Sequence, residues 1–171
     1  MKSFASQGYL LRRARLEVRL IYTGFLLLVV LGMLTMAAFQ LNHVGPTPAR
    51  IAAYYRGGDV GGEMRFEKTF RELVEVTHFH SFIMGIVYLV LAHLFIATPM
   101  ATSSKRFVIV AAFAGLSGDI IAPWLIRYVS ASAAYLLMLA WLAEWGGFLA
   151  FTIVPIREMW FTHERADLPL E

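Results

Sequence analysis

Histidines and two isolated carboxylates are the residues of this chain with chemistry to offer. His78 and His80 open a long apolar run, Val74 to Thr98, and His93 lies near its far end. Two later apolar segments carry one carboxylate each, Asp119 and Glu144. Holding an ionisable side chain at the centre of a bilayer costs roughly 3 kcal/mol or more, so such groups read as ligands, proton carriers or interhelical pairs.

Helical geometry sorts the histidines. At about 100° per residue, His78 and His93 are only about 60° apart and share a face with Phe82, Gly85 and Leu89. His80 points about 200° from His78, so the two cannot hold one metal from a regular helix. Gly85, between the two levels, leaves room for a neighbouring helix or a flat cofactor. The axial offset from His78 to His93 is about 22 Å. That arrangement resembles the di-haem four-helix cytochromes b, in which one helix offers two histidines to stacked haems. The resemblance implies haem b at His78, His80 or His93. In that family a second helix supplies the opposing pair, and the other apolar segments here contain no histidine, so a full di-haem set is absent. A single haem stays open, with its second ligand from His43, from Met33, Met36, Met84 or Met138, or from another copy of the chain.

Asp119 has a local argument of its own. Pro123 lacks an N–H, so the carbonyl of residue 119 loses its helical partner and joins the carboxylate at one depth. That depth falls about one turn from His80, and His80, His78 and Asp119 then offer ligands suited to Zn, Cu, Fe or Mn. Asp119 could instead lock helices by pairing with His80 or Arg127, or relay protons with Glu144. Glu144, between Trp141 and Trp145, could carry a proton or donate a hydrogen bond as a neutral acid. His163, beyond the last apolar segment, reads as a solvated tail residue.

Other chemistry is missing. With no cysteine there is no disulfide, thiolate metal site or covalent haem attachment. No Gly-x-Ser-x-Gly, phosphate-binding loop or His-Glu-x-x-His occurs, so no soluble-enzyme activity is assigned.

The elements that must position these residues are apolar. Of 171 residues 58% are hydrophobic and only 16% charged, and the mean hydropathy is +0.62. That composition implies an all-α polytopic membrane protein. Four stretches reach the roughly 20 residues a spanning helix needs: 20–41, 72–98, 107–126 and 131–156, with a long loop at 42–71. Short connections make consecutive helices antiparallel neighbours in one four-helix transmembrane domain. The first stretch is too long for a secretory signal and no small-residue cleavage site follows it, so it reads as an uncleaved helix.

Lys2, Arg12, Arg13, Arg15 and Arg19 precede the first span, Lys105 and Arg106 lie in the 101–106 loop, and Arg157 and Arg165 follow the last span. The positive-inside rule then places both termini in the cytoplasm, in an inner (plasma) membrane. The basic residues of the 42–71 loop are the conflicting feature. Within that outer loop, Thr47-Pro48 starts a short helix through Tyr55 on the membrane surface. Gly57-Gly58-Asp59-Val60-Gly61-Gly62 reads as a flexible hinge, and Thr69-x-x-Glu72 is a capping box that starts the second span. Trp141, Trp145 and Gly146-Gly147 predict close packing in the fourth span.

These features support a small integral subunit of a redox or energy-converting assembly, whose second-span histidines hold haem b or a metal or line a quinone or proton site. Two alternatives stand beside it: a proton or metal-ion transporter using Asp119 and Glu144, and a structural accessory subunit without a cofactor. The partners implied are the lipid bilayer and other membrane or periplasmic subunits, or further copies of the chain. A sequence pI near 9.4 reflects basic ends rather than nucleic-acid binding.

Overall fold

The computed structural model describes residues 10–162; Lys2, His163 and Arg165 lie outside them. Four membrane-spanning helices form the body. In chain order the elements are helix α1 (Leu16–Phe39), a π-helical turn (Gln40–Val44), helix α2 (Pro48–Arg56), strands β1 (Gly58–Val60) and β2 (Glu63–Arg65), and helices α3 (Phe70–Ile96), α4 (Thr102–Tyr128) and α5 (Ala133–Trp160). The bundle has a loop end, capped by residues 40–68, and a terminal end, where residues 10–14 meet the end of α5.

The tightest contact is α4 against α5, and small residues make it. A Cβ on Gly115 would lie 2.6 Å from the Glu144 nitrogen, and one on Gly118 would lie 2.8 Å from the Ala140 Cβ. Gly147 sits against Ala112 in the same way, whereas Gly146 faces open space. Lipid drives no hydrophobic collapse between helices, so such close backbone approach supplies the attraction. The close packing expected at Gly146-Gly147 therefore belongs to Gly147.

Helix α3 joins the pair through aromatic side chains. Tyr88, Phe95 and Phe151 are fully buried, with ring centroids 6.0 Å apart for Tyr88–Phe151 and 5.2 Å for Phe95–Phe151. Helix α1 is the outlying member: Leu20, Ile21, Leu27, Leu28, Leu31 and Leu34 are all exposed to lipid, while Leu26 and Met33 turn inward. Trp160 and Trp145 of α5 hold it, donating to Thr23 Oγ1 at 2.9 Å and to Gln40 Oε1 at 3.4 Å.

The loop end is ordered by its own chemistry. Thr47 Oγ1 accepts from the Arg50 nitrogen and Pro48 takes the first helical position, as expected for α2. Its apolar face also has a protein partner. Ile51 is fully buried against Ala122, Ile126, Ala134 and Leu137 of α4 and α5, because an apolar face gains more from protein packing than from a headgroup boundary.

The glycine segment is not a hinge. It forms an antiparallel hairpin with Asp59 opposite Met64, and Gly61 and Gly62 turn it at φ +67° and +84°. Two successive positive φ values are what a two-residue turn of the right twist demands, and glycine meets them without strain. Arg65 donates to the His43 carbonyl at 2.7 Å and Arg56 to the Ile126 carbonyl at 2.8 Å, tying this cap to the bundle.

Candidate functional site

The capping box forms as expected. Thr69 Oγ1 accepts from the Glu72 nitrogen while the Glu72 carboxylate accepts from the Thr69 nitrogen, fixing where α3 starts. That start sets the rotation of every histidine on the helix. His78 is exposed and packs on Phe79 and Phe82, with centroids 5.7 and 5.1 Å away. His93 is exposed too, its Nδ1 2.8 Å from the Leu89 carbonyl. Phe82 and Leu89, on the same stripe, are 65% and 53% exposed, so this face is turned to lipid. A Cβ on Gly85 would meet nothing within 4 Å, so no helix among the described residues uses the room it leaves.

His80 points the other way and is half buried. Its Nδ1 lies 3.1 Å from the Val76 carbonyl. A carbonyl only accepts, so this bond needs the proton on Nδ1, and in the neutral imidazole Nε2 is then the lone-pair acceptor.

Asp119 meets the same space from α4. Its Oδ1 accepts from Trp141 Nε1 of α5 at 2.8 Å. Of the partners foreseen for Asp119, Arg127 is excluded by geometry. Arg127 pairs with Glu67 at 2.8 Å and donates to the Lys68 carbonyl at 2.8 Å, because the cap brings those oxygens over the end of α4.

Three cavities line up from the loop end inward. A polar vestibule of about 620 Å³ is lined by Asn42, His43, Tyr54, Glu63, Lys68 and Glu72, among others. A middle cavity of about 360 Å³ shares Tyr54, Lys68 and Glu72 with it and reaches Gln40, His80, Asp119 and Trp141. An inner cavity of about 400 Å³ shares Met36, Gln40, His80 and Asp119 with the middle one and ends at Tyr88, Glu144 and Trp145. Both deeper cavities have mostly apolar walls with few polar groups, the usual build of a small-molecule site.

The structure thus brings His80, Asp119 and Glu144 around adjoining cavities, and leaves the other histidines out. His43 borders the vestibule with its ring stacked on Phe39 at 5.0 Å. No two of His43, His78, His80 and His93 border the same one of these cavities. Among the described residues, no group of three histidine or acidic side chains could hold a metal ion. The set His78, His80 and Asp119 fails because His78 faces lipid, a consequence of helical rotation. Glu144 is 5% exposed, and Tyr88 Oη donates to its backbone carbonyl at 3.3 Å.

Sequence reasoning missed Gln40, Tyr55, Lys68 and Glu72 as parts of the site. Gln40 is 7% exposed because a π turn swings it under Trp145, and nothing local in the sequence marks that turn. Tyr55 lines the middle cavity from α2; burial, then the nearby Asp119 charge, pushes its phenol well above the usual range.

A family model described as a transmembrane helical domain matches residues 45–166. No curated protein and no solved structure matches the chain.

Proposed function

The chain belongs to the Aq_1264_TM family of transmembrane helical domains, and from that premise we propose that it is a small integral subunit of a membrane redox or energy-converting assembly, binding a lipophilic carrier of the quinone class. The observation that carries this reading is the pair of adjoining, mostly apolar cavities whose polar groups converge on His80, Asp119 and Gln40. A quinone needs such a place: acceptor and donor groups for its carbonyls, and an apolar slot for its tail. His80 and Asp119 hold and orient the head. Phe25, Val29 and Met33 of α1, facing Met84 and Val87 of α3, offer the tail a slot.

Haem has less support, because His78 and His93 face outward and a second axial ligand would have to come from another chain. The partners we propose are other membrane or periplasmic subunits, or further copies of this chain. We also propose an inner (plasma) membrane with both termini cytoplasmic. The basic residues of the 42–71 loop, which argue against that orientation, are largely tied up in ion pairs: Arg65 with Glu63, Lys68 with Glu72 and Arg71 with Glu75.

Trp141 and Trp145 line the two cavities, so a bound quinone quenches their fluorescence. Titrating the purified chain with a short-tailed ubiquinone or menaquinone should give saturable quenching. His80→Ala and Asp119→Asn should each raise Kd about tenfold, the equivalent of roughly 1.4 kcal/mol. Quenching that does not saturate, or that keeps the wild-type Kd in both variants, overturns the assignment.

A further inference from the structure

We propose that the loop end contains a proton half-channel that ends at Glu144 and is closed toward the terminal end. The inference goes beyond carrier binding and does not need a carrier to be present.

Three observations carry it. The vestibule, middle and inner cavities adjoin one another, sharing Tyr54, Lys68 and Glu72 at the first junction and Met36, Gln40, His80 and Asp119 at the second. Every junction therefore has groups that exchange or pass protons. The Lys68–Glu72 pair, 3.0 Å apart, stands at the mouth, and His80, Asp119 and Gln40 form the neck. Toward the terminal end from Tyr88, the interior is occupied by the fully buried side chains of Leu91, Phe95 and Phe151, which belong to one packed cluster.

Glu144 is suited to be the terminus. It is nearly enclosed, it borders the inner cavity, and no lysine or arginine borders that cavity. The polar groups that border the cavity with it are Gln40 from the π turn, His80 and Tyr88 from α3, Asp119 from α4 and Trp145 from its own helix. A carboxylate so placed, without a cation to pair with, suits proton exchange better than a fixed charge. The neck groups give water the two to four polar partners it needs to stay in such a space. The step moves one proton and no electrons. A proton from vestibule water adds to the Asp119 carboxylate or His80 Nε2, then transfers to the Glu144 carboxylate to give the neutral acid, and leaves by the same route.

The test uses the full chain in phosphatidylethanolamine/phosphatidylglycerol vesicles, without quinone. The infrared carboxylic acid band that disappears in Glu144→Gln is assigned to Glu144, and its shift after transfer from H2O to D2O is timed. Met36→Trp, which fills the neck, should slow that shift about tenfold. Leu142→Trp, on a side chain 72% exposed to lipid, should leave it unchanged. Because the chain has no cysteine, Val87→Cys gives a second reading that survives if Met36→Trp misfolds. An impermeant methanethiosulfonate should label it only from the side that also labels Gly61→Cys. A Glu144 band that does not exchange, exchange as fast in Met36→Trp as in wild type, or labelling of Val87→Cys from the opposite side each overturns the half-channel. Loss of quinone binding alone would leave all three readings unchanged, so the two proposals fail separately.

Discussion

Trp141 of α5 donates its indole N–H to the Asp119 carboxylate of α4 at 2.8 Å, with both side chains on the wall of one cavity. The bond fixes which way Asp119 points, and so which groups a ligand meets. Trp141→Phe keeps most of the ring and removes the donor. In a bilayer such a bond is worth about 0.6–1.7 kcal/mol, so unfolding in mixed micelles should move by that amount. Quinone quenching, followed through Trp145, should weaken as well. Wild-type stability and affinity in Trp141→Phe would show that the contact is incidental.

The two faces of α3 should behave oppositely. His78→Ala and His93→Ala remove side chains turned to lipid and should leave the quench titration unchanged, while His80→Ala weakens it. Absorbance checks the same geometry: with these histidines spread over different faces, the purified chain alone should show no Soret band. A band that shifts on dithionite reduction and is lost in His78→Ala would assign haem to the lipid-facing stripe.

The glycines of the α4–α5 contact give a stability prediction. Gly115→Leu forces a side chain against the Glu144 backbone, where even a Cβ would stand 2.6 Å from nitrogen. Overpacking of this kind costs about 1–3 kcal/mol, and more where only backbone can yield. Gly146→Leu enters open space and should be close to neutral. Thermal unfolding of the two variants in one detergent decides the matter, and equal midpoints would refute the packing account.

The start of α3 can be weakened on its own. Thr69→Ala removes the side-chain oxygen that accepts from the Glu72 nitrogen and should cost about 1 kcal/mol. Hydrogen exchange should speed up in the first turn of α3 before it changes near Tyr88. Uniform acceleration along the helix would place the cost elsewhere.

Alkaline pH tests the cap. Burial alone would lower the Lys68 ammonium, but Glu72, accepting its hydrogen bond at 3.0 Å, and the nearby Tyr54 phenol oxygen outweigh it and hold the group above its ordinary value of 10.5. A base whose folded value is raised contributes stability that is complete below the unfolded value and lost as pH rises through the folded one. Hydrogen exchange of residues 58–68 should therefore be flat to about pH 10 once the intrinsic rate is removed, and rise beyond it. Lys68→Gln should abolish that rise.

Much of this was legible along the chain. The capping box at Thr69, the N-cap at Thr47 and the splitting of His78 from His80 follow from local hydrogen-bonding geometry and helical periodicity, which act within a few residues. The hairpin was misread because glycine signals both flexibility and positive φ. Only the pairing of residues 58–60 with 63–65 shows that here it serves the second. Gln40 was invisible because its burial depends on Trp145, a residue 105 positions away.

Composition and periodicity by themselves determined that this is a membrane bundle, which helices span, and which histidines share a face. Each depends on a transfer cost or a rotation counted along one helix. Which helices touch, which way Asp119 points, and that His80 and Glu144 border adjoining cavities were decided only by the tertiary structure. Those relationships depend on how closely α4 and α5 approach through Gly115 and Gly147, and on how loosely α1 leans against them. In lipid, where apolar surface has no preference between helices, packing shape and interhelical hydrogen bonds such as Trp141 to Asp119 make that choice.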